Sequence, residues 1–106
     1  MAGITTHVLD TGKGRPAQGV RVTLSIFRDD WNEVARGVTD ADGRLRTLTD
    51  GVELQRATYR LTFETAAYGN TFFPEVSIVF QVENPGTHHH VPLLLSPFGY
   101  STYRGS

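Results

Sequence analysis

Three segments of this chain carry apolar side chains at every second position, and that spacing limits the fold more than any other feature. Between Gly19 and Arg28, Val20, Val22, Leu24 and Ile26 alternate with Arg21, Thr23 and Ser25. Between Ala57 and Glu64, Tyr59, Leu61 and Phe63 alternate with Arg60 and Thr62. Between Glu75 and Val82 the row is Val76, Ile78, Phe80 and Val82. Successive side chains of a strand point to opposite faces, so period two gives each segment one apolar face. Such a face is buried by packing a second layer on it.

Turn signals bound the remaining strands. Thr5–Thr11 is stopped by Gly12-Lys13-Gly14-Arg15-Pro16, and Trp31–Thr39 by Asp40-Ala41-Asp42-Gly43. Arg44–Leu48 ends at Thr49-Asp50-Gly51, Asn84-Pro85-Gly86 precedes His88–Leu95, and Ser96-Pro97-Phe98-Gly99 precedes Tyr100–Arg104. Thr65-Ala66-Ala67-Tyr68 has room for one helical turn. The reading is all-β: a two-sheet antiparallel sandwich of about eight strands with one short helix. A length of 106 residues, without composition shift or repeat, makes residues 1–106 a single domain.

His88–Leu95 breaks the simple alternation. Val91, Leu93 and Leu95 form one row, and His88, His90, Pro92 and Leu94 the other. Apolar residues on both faces predict that both are covered, one by the core and the other by a second subunit. An oligomer follows from this.

Charge and composition exclude several classes. A net charge of −1 with scattered basic residues argues against nucleic-acid binding. No apolar run approaches the roughly 18 residues that span a bilayer, so no membrane association is expected. With no cysteine there is neither disulfide nor thiolate chemistry. The start, Met1 to His7, lacks the regions of a secretory signal, which makes a cytoplasmic protein the expectation.

The residues with chemical potential are few. His88 and His90 share one strand face and His89 the other, and histidine titrates near neutrality. The pair is suited to taking a proton from water and returning it, or is a solvated strand entry. A zinc site with His7 as third ligand is a weaker alternative, since no Cys and no HExxH spacing support it. Asp40-Ala41-Asp42-Gly43 opens like a calcium loop, but the twelfth position is Gly51 and not Glu. A tight turn with positive φ at Gly43 explains it better. Arg44 is either a solvated surface residue or a two-pronged donor to a planar amide, carboxylate or oxyanion. Serine-nucleophile elbows and phosphate-cradling loops are absent.

Three blocks resemble the transthyretin-related family, and closely its 5-hydroxyisourate hydrolase branch. They are Thr6-His7-Val8-Leu9-Asp10-Thr11 with Gly14-Arg15-Pro16-Ala17; Gly37-Val38-Thr39-Asp40-Ala41-Asp42-Gly43-Arg44; and His88-His89-His90-Val91-Pro92 running to Tyr103-Arg104-Gly105-Ser106. The resemblance covers nearly the whole chain. It implies a homotetramer, a dimer of dimers, with a channel-side sheet of the first, fourth, seventh and eighth strands, on which His7, Arg44, His90 and Tyr103 fall in order. One departure is His89, where the family usually has Tyr; alternation turns it away from the channel.

The function implied is hydrolysis of 5-hydroxyisourate to 2-oxo-4-hydroxy-4-carboxy-5-ureidoimidazoline in urate degradation, with no metal and no cofactor. His7, Arg44, His90 and Ser106 are the expected catalytic residues, and His7, Arg44 and Tyr103 the expected substrate-binding ones. The alternative is a small-molecule carrier of the transthyretin type, a branch that lacks this set.

Overall fold

The computed structural model describes residues 2–106. Ten strands and one helical turn run in the order β1 (Gly3–Asp10), β2 (Arg15–Pro16), β3 (Arg21–Arg28), β4 (Asp30–Val38), β5 (Arg44–Leu45), β6 (Ala57–Phe63), α1 (Thr65–Tyr68), β7 (Val76–Val82), β8 (His88–His90), β9 (Leu93–Ser96) and β10 (Gly99–Thr102). They form two sheets. One is the antiparallel ladder β4-β3-β6-β7. The other is built around β1, which pairs with β8 and β9 along one edge and with β5 and β2 along the other, β10 closing it beyond β9.

The alternating rows face each other across the interior. Ile4 and Val8 of β1, Leu93 and Leu95 of β9, Val22 and Leu24 of β3, and Tyr59, Leu61 and Phe63 of β6 are all at most 2% exposed. Burying a side chain of this size contributes about 1.5–3 kcal/mol, so the two facing rows supply most of the driving force. Phe80 and Ile26, read from the sequence as core, sit half-buried at its rim. A register shift in the β3–β4 ladder leaves Val34 of β4 unpaired beside Leu24 and Ser25, while β3 keeps its register against β6, where Ser25 stands opposite Arg60 and is 5% exposed.

Four expectations are corrected. The sandwich is not wholly antiparallel, because β1 runs parallel to β8 and β9. The whole other sheet lies between these strands in sequence, so no hairpin dictates their direction. The predicted strand His88–Leu95 is two strands in one register, interrupted at Val91-Pro92, since proline has no N–H for the ladder. Arg44–Leu48 forms a strand only at Arg44–Leu45. The last strand stops at Thr102, whose hydroxyl donates to the Pro92 carbonyl at 2.7 Å, so Tyr103 lies beyond it. There the chain crosses to β8, where the Gly105 N–H donates to the His90 carbonyl at 2.8 Å. Among the described residues no helix is long and apolar enough to cross a membrane.

Candidate active site

The turn predicted at Asp40–Gly43 is present and delivers Arg44. Gly43 has φ 73°, and a Cβ there would lie 2.4 Å from the Val8 carbonyl oxygen. Only glycine fits that approach. The Asp40 carboxylate accepts from the N–H groups of Asp42 and Arg44, both at 2.9 Å. The Arg44 N–H bond is the largest of the effects holding the Asp40 carboxyl below its ordinary range; a smaller desolvation opposes it, and the Asp42 N–H bond and the charges of Arg46 and Arg44 add to it. Capping the turn is thus the carboxylate's local role. The register then sets Arg44 directly opposite His7 on β1, where cross-strand side chains on one face are neighbours.

On the other edge of β1, Thr5 stands opposite His90. Its hydroxyl bridges two imidazoles, 2.8 Å from His90 Nδ1 and 2.7 Å from His88 Nε2. His90 Nε2 makes no hydrogen bond among the described residues and is its open nitrogen. Gly105 packs on the same ring so closely that a Cβ would fall 2.5 Å from His90 Cδ2. The terminal segment therefore braces the imidazole as well as ending beside it.

A groove of about 760 Å³ runs along this face. Its walls include Thr5 and Thr6 of β1, Arg44 of β5, His88 and His90 of β8, Ser106, and the loop from Thr49 to Leu54. Of the sequence-predicted residues, Arg44, His90 and Ser106 line it together. His7 and Tyr103 do not. His7 sits one position beyond, its Nε2 2.9 Å from the Asp42 carbonyl oxygen. A carbonyl can only accept, so this nitrogen carries a proton and donates. Tyr103 is 59% exposed.

The groove's electrostatics suit a neutral imidazole. Burial, first, and then the charges of Arg44, His88 and His7 push the His90 pKa below its ordinary value. The two ion pairs among the described residues, Arg36–Glu33 and Arg56–Glu83, lie elsewhere on the surface, so the Arg44 guanidinium is left without a carboxylate partner. No three His, Cys, Asp or Glu side chains among the described residues are grouped so as to hold a metal ion.

Sequence reasoning missed three contributors: Thr5, the Thr49–Leu54 wall, and Gly105 as a brace. Thr5 is an ordinary strand residue until its register against β8 is known. His89 is 4% exposed, turned into the core as alternation required, with Nδ1 donating to the Thr87 carbonyl at 3.0 Å.

Comparison with known proteins bears on the family and the fold. The family model described as "Transthyretin: HIUase/Transthyretin family" matches residues 4–105. The uric acid degradation bifunctional protein of Arabidopsis thaliana is 48% identical over 97% of this chain, which spans 37% of that protein's length. The solved Klebsiella pneumoniae 5-hydroxyisourate hydrolase is 39% identical with a TM-score of 0.85, covering 97% of this chain and 98% of its own. Transthyretin of Sparus aurata is 34% identical with a TM-score of 0.89, covering 99% and 97%. A strand-paired Arg44 and His7, a groove shared by Arg44, His90 and Ser106, and a match along almost the whole length lead to one assignment: the chain belongs to the HIUase/transthyretin family.

Proposed function

We propose that this chain hydrolyses 5-hydroxyisourate to 2-oxo-4-hydroxy-4-carboxy-5-ureidoimidazoline, a step of urate degradation. The observation that carries the reading is the unpaired Arg44 guanidinium sharing a groove with the open Nε2 of His90, whose burial and cationic neighbours disfavour its protonated form. A carrier needs neither.

His90 Nε2 takes a proton from water as the water oxygen attacks the lactam carbonyl. Arg44 donates to the carbonyl oxygen as negative charge develops on it, a role worth about 3–4 kcal/mol for a well-aimed donor. The tetrahedral intermediate collapses, its C–N bond breaks, and the imidazolium returns the proton to the departing ring nitrogen. The product carries a new carboxylic acid, which releases its proton to solvent to become the carboxylate, and the enzyme is unchanged. His7, its tautomer fixed through Asp42, offers Nδ1 to orient the water or the substrate. Tyr103 binds substrate, and Ser106 closes the pocket over the reacting groups.

The reading includes assembly as a homotetramer, a dimer of dimers, which brings Tyr103 and His7 into a shared channel. Phe72, Phe98, Tyr100 and Tyr103 are each at least 45% exposed on one chain, more aromatic surface than a monomer ordinarily leaves in water. Sedimentation equilibrium giving the mass of four chains supports this, and a monomer at micromolar concentration rejects it. A chain without cysteine needs no oxidising compartment to fold, which fits a cytoplasmic enzyme.

The test is ultraviolet decay of freshly generated 5-hydroxyisourate with and without protein. Catalysed decay is expected, and Arg44→Ala lowers it about 10²–10³-fold. Decay no faster than in buffer alone rejects the function. The transthyretin fold by itself also accommodates a carrier; saturable binding without turnover is the outcome favouring that alternative.

A further inference from the structure

One hydroxyl between two imidazoles deepens the hydrolase reading and rests on it. Thr5 Oγ1 is within hydrogen-bond distance of both His90 Nδ1 and His88 Nε2. Register produces this arrangement. Thr5 lies opposite His90, while the residue opposite His88 is Gly3, which adds no side chain to that face. A hydroxyl both donates one proton and accepts. Two neutral imidazoles on it therefore adopt one of two matched arrangements. Either His90 Nδ1–H donates to Thr5 and Thr5 donates to His88, leaving the lone pair on His90 Nε2, or every bond reverses and His90 Nε2 carries the proton.

We propose that Thr5 and His88 form a proton relay that sets the tautomer of His90 and passes its excess proton to the solvent side of the groove. As the water O–H bond breaks and the His90 Nε2–H bond forms, the His90 Nδ1–H proton moves to Thr5 Oγ1. The original Thr5 hydroxyl proton moves to His88 Nε2. His90 ends neutral, the positive charge rests on His88, and the oxygen is free to attack. Reversal of the same three transfers delivers a proton from His90 Nε2 to the leaving nitrogen. No other reactant is consumed.

The surroundings explain why a relay helps. Facing His90 are His7 on β1, Arg44 on β5 and His88 on β8, and burial together with these groups opposes a cation on His90 itself. The groove's carboxylates, Asp50 and Glu53, lie on the loop wall, and Arg104 acts on His89. His88 is exposed, so water stabilises the charge there. Neither Thr5 nor His88 touches the substrate in this scheme, so both are positioning residues.

Steady-state kinetics of T5V, T5S, H88Q and the T5V/H88Q pair test the relay. T5V and H88Q should each lower kcat about 10–100-fold, with KM nearly unchanged and the acid limb of the kcat profile displaced. The double variant should lose no more than either single one, T5S should recover most of the rate, and added imidazole should rescue H88Q. Multiplying losses, or an H88Q rate indifferent to imidazole, overturn the relay. Nitrogen-15 NMR of the ring nitrogens reads the hydrogen-bonded chain without substrate: His90 holds its proton on Nδ1 in the unmodified protein and loses that preference in T5V. A Thr5-dependent tautomer without turnover fails the hydrolase reading alone, whereas turnover with a tautomer indifferent to T5V fails the relay alone.

Discussion

The two sheets divide the work differently. In one, β3, β4, β6 and β7 are seven to nine residues long and pair in long antiparallel ladders, broken only by the register shift between β3 and β4. In the other, the strands beside β1 are pieces of two to four residues. A long ladder satisfies its own backbone and leaves side chains only the task of packing. A broken one must be completed by turns, hydroxyls and a returning chain end. Those completing elements, the Asp40–Gly43 turn, Thr5 and Gly105, are what position Arg44 and His90. Stability and chemistry therefore rest on separable residues.

The sharpest way to break that division is to strike each sheet once. His90→Asn should lower turnover about 10²–10⁴-fold while the thermal midpoint stays within a few degrees. Leu61→Ala, a fully buried position on β6, should cost about 2–5 kcal/mol of stability with kcat of the folded fraction unchanged. Denaturant unfolding and kinetics on both variants decide it. Full activity in His90→Asn would remove the assigned base.

A subtler blow falls on the brace. In Gly105→Ala the new Cβ meets the His90 ring at 2.5 Å, so ring or chain end must move. A displacement near 1 Å is enough to cost up to about 10²-fold in rate, and about tenfold is expected here with stability little changed. An unaltered kcat would mean that the imidazole's position is set by Thr5 alone.

How much of this was legible in the sequence also differs between the sheets. The rows Tyr59-Leu61-Phe63 and Val76-Ile78-Val82 are buried as their period-two spacing requires, because a half-buried strand leaves that imprint whatever its partner. The parallel pairing of β1 with β8 left none, since alternation is the same in either direction. Pro92 marked the interruption of the predicted His88–Leu95 strand, but the apolar run through it masked the break. His90 and Arg44 are candidates from strand parity and donor chemistry, and the blocks of resemblance choose between their open readings and add Ser106, whereas Thr5 and the Thr49–Leu54 wall gain meaning only from contacts some 45 to 85 residues away in sequence.

The pH profile sharpens the site further. A base must be neutral to act, so activity falls as pH drops through the His90 pKa, and burial and the neighbouring cations hold that below the ordinary histidine value of about 6.5. Arg44→Gln removes one of those cations. Its residual activity should show the acid limb of kcat/KM moved upward, toward the ordinary value. A limb that stays put or moves down would show that the titrating group is not beside Arg44.

The smallest effect comes from the one histidine of the broken sheet that faces the core. Burial is the main reason the His89 pKa is lowered, against an opposing bond to the Thr87 carbonyl. Between its folded pKa and about 6.5 the unfolded chain holds more protons there than the folded one, so stability falls as pH falls through that window. Above it the term vanishes. His89→Tyr replaces this ring with one that stays neutral until about pH 10 and restores the residue the family usually carries. The thermal midpoint of the variant minus that of the unmodified protein should therefore be more positive at pH 5 than at pH 8. An equal difference at both would mean that His89 takes up its proton inside the folded sandwich, and that the core side of this sheet is wetter than its burial implies.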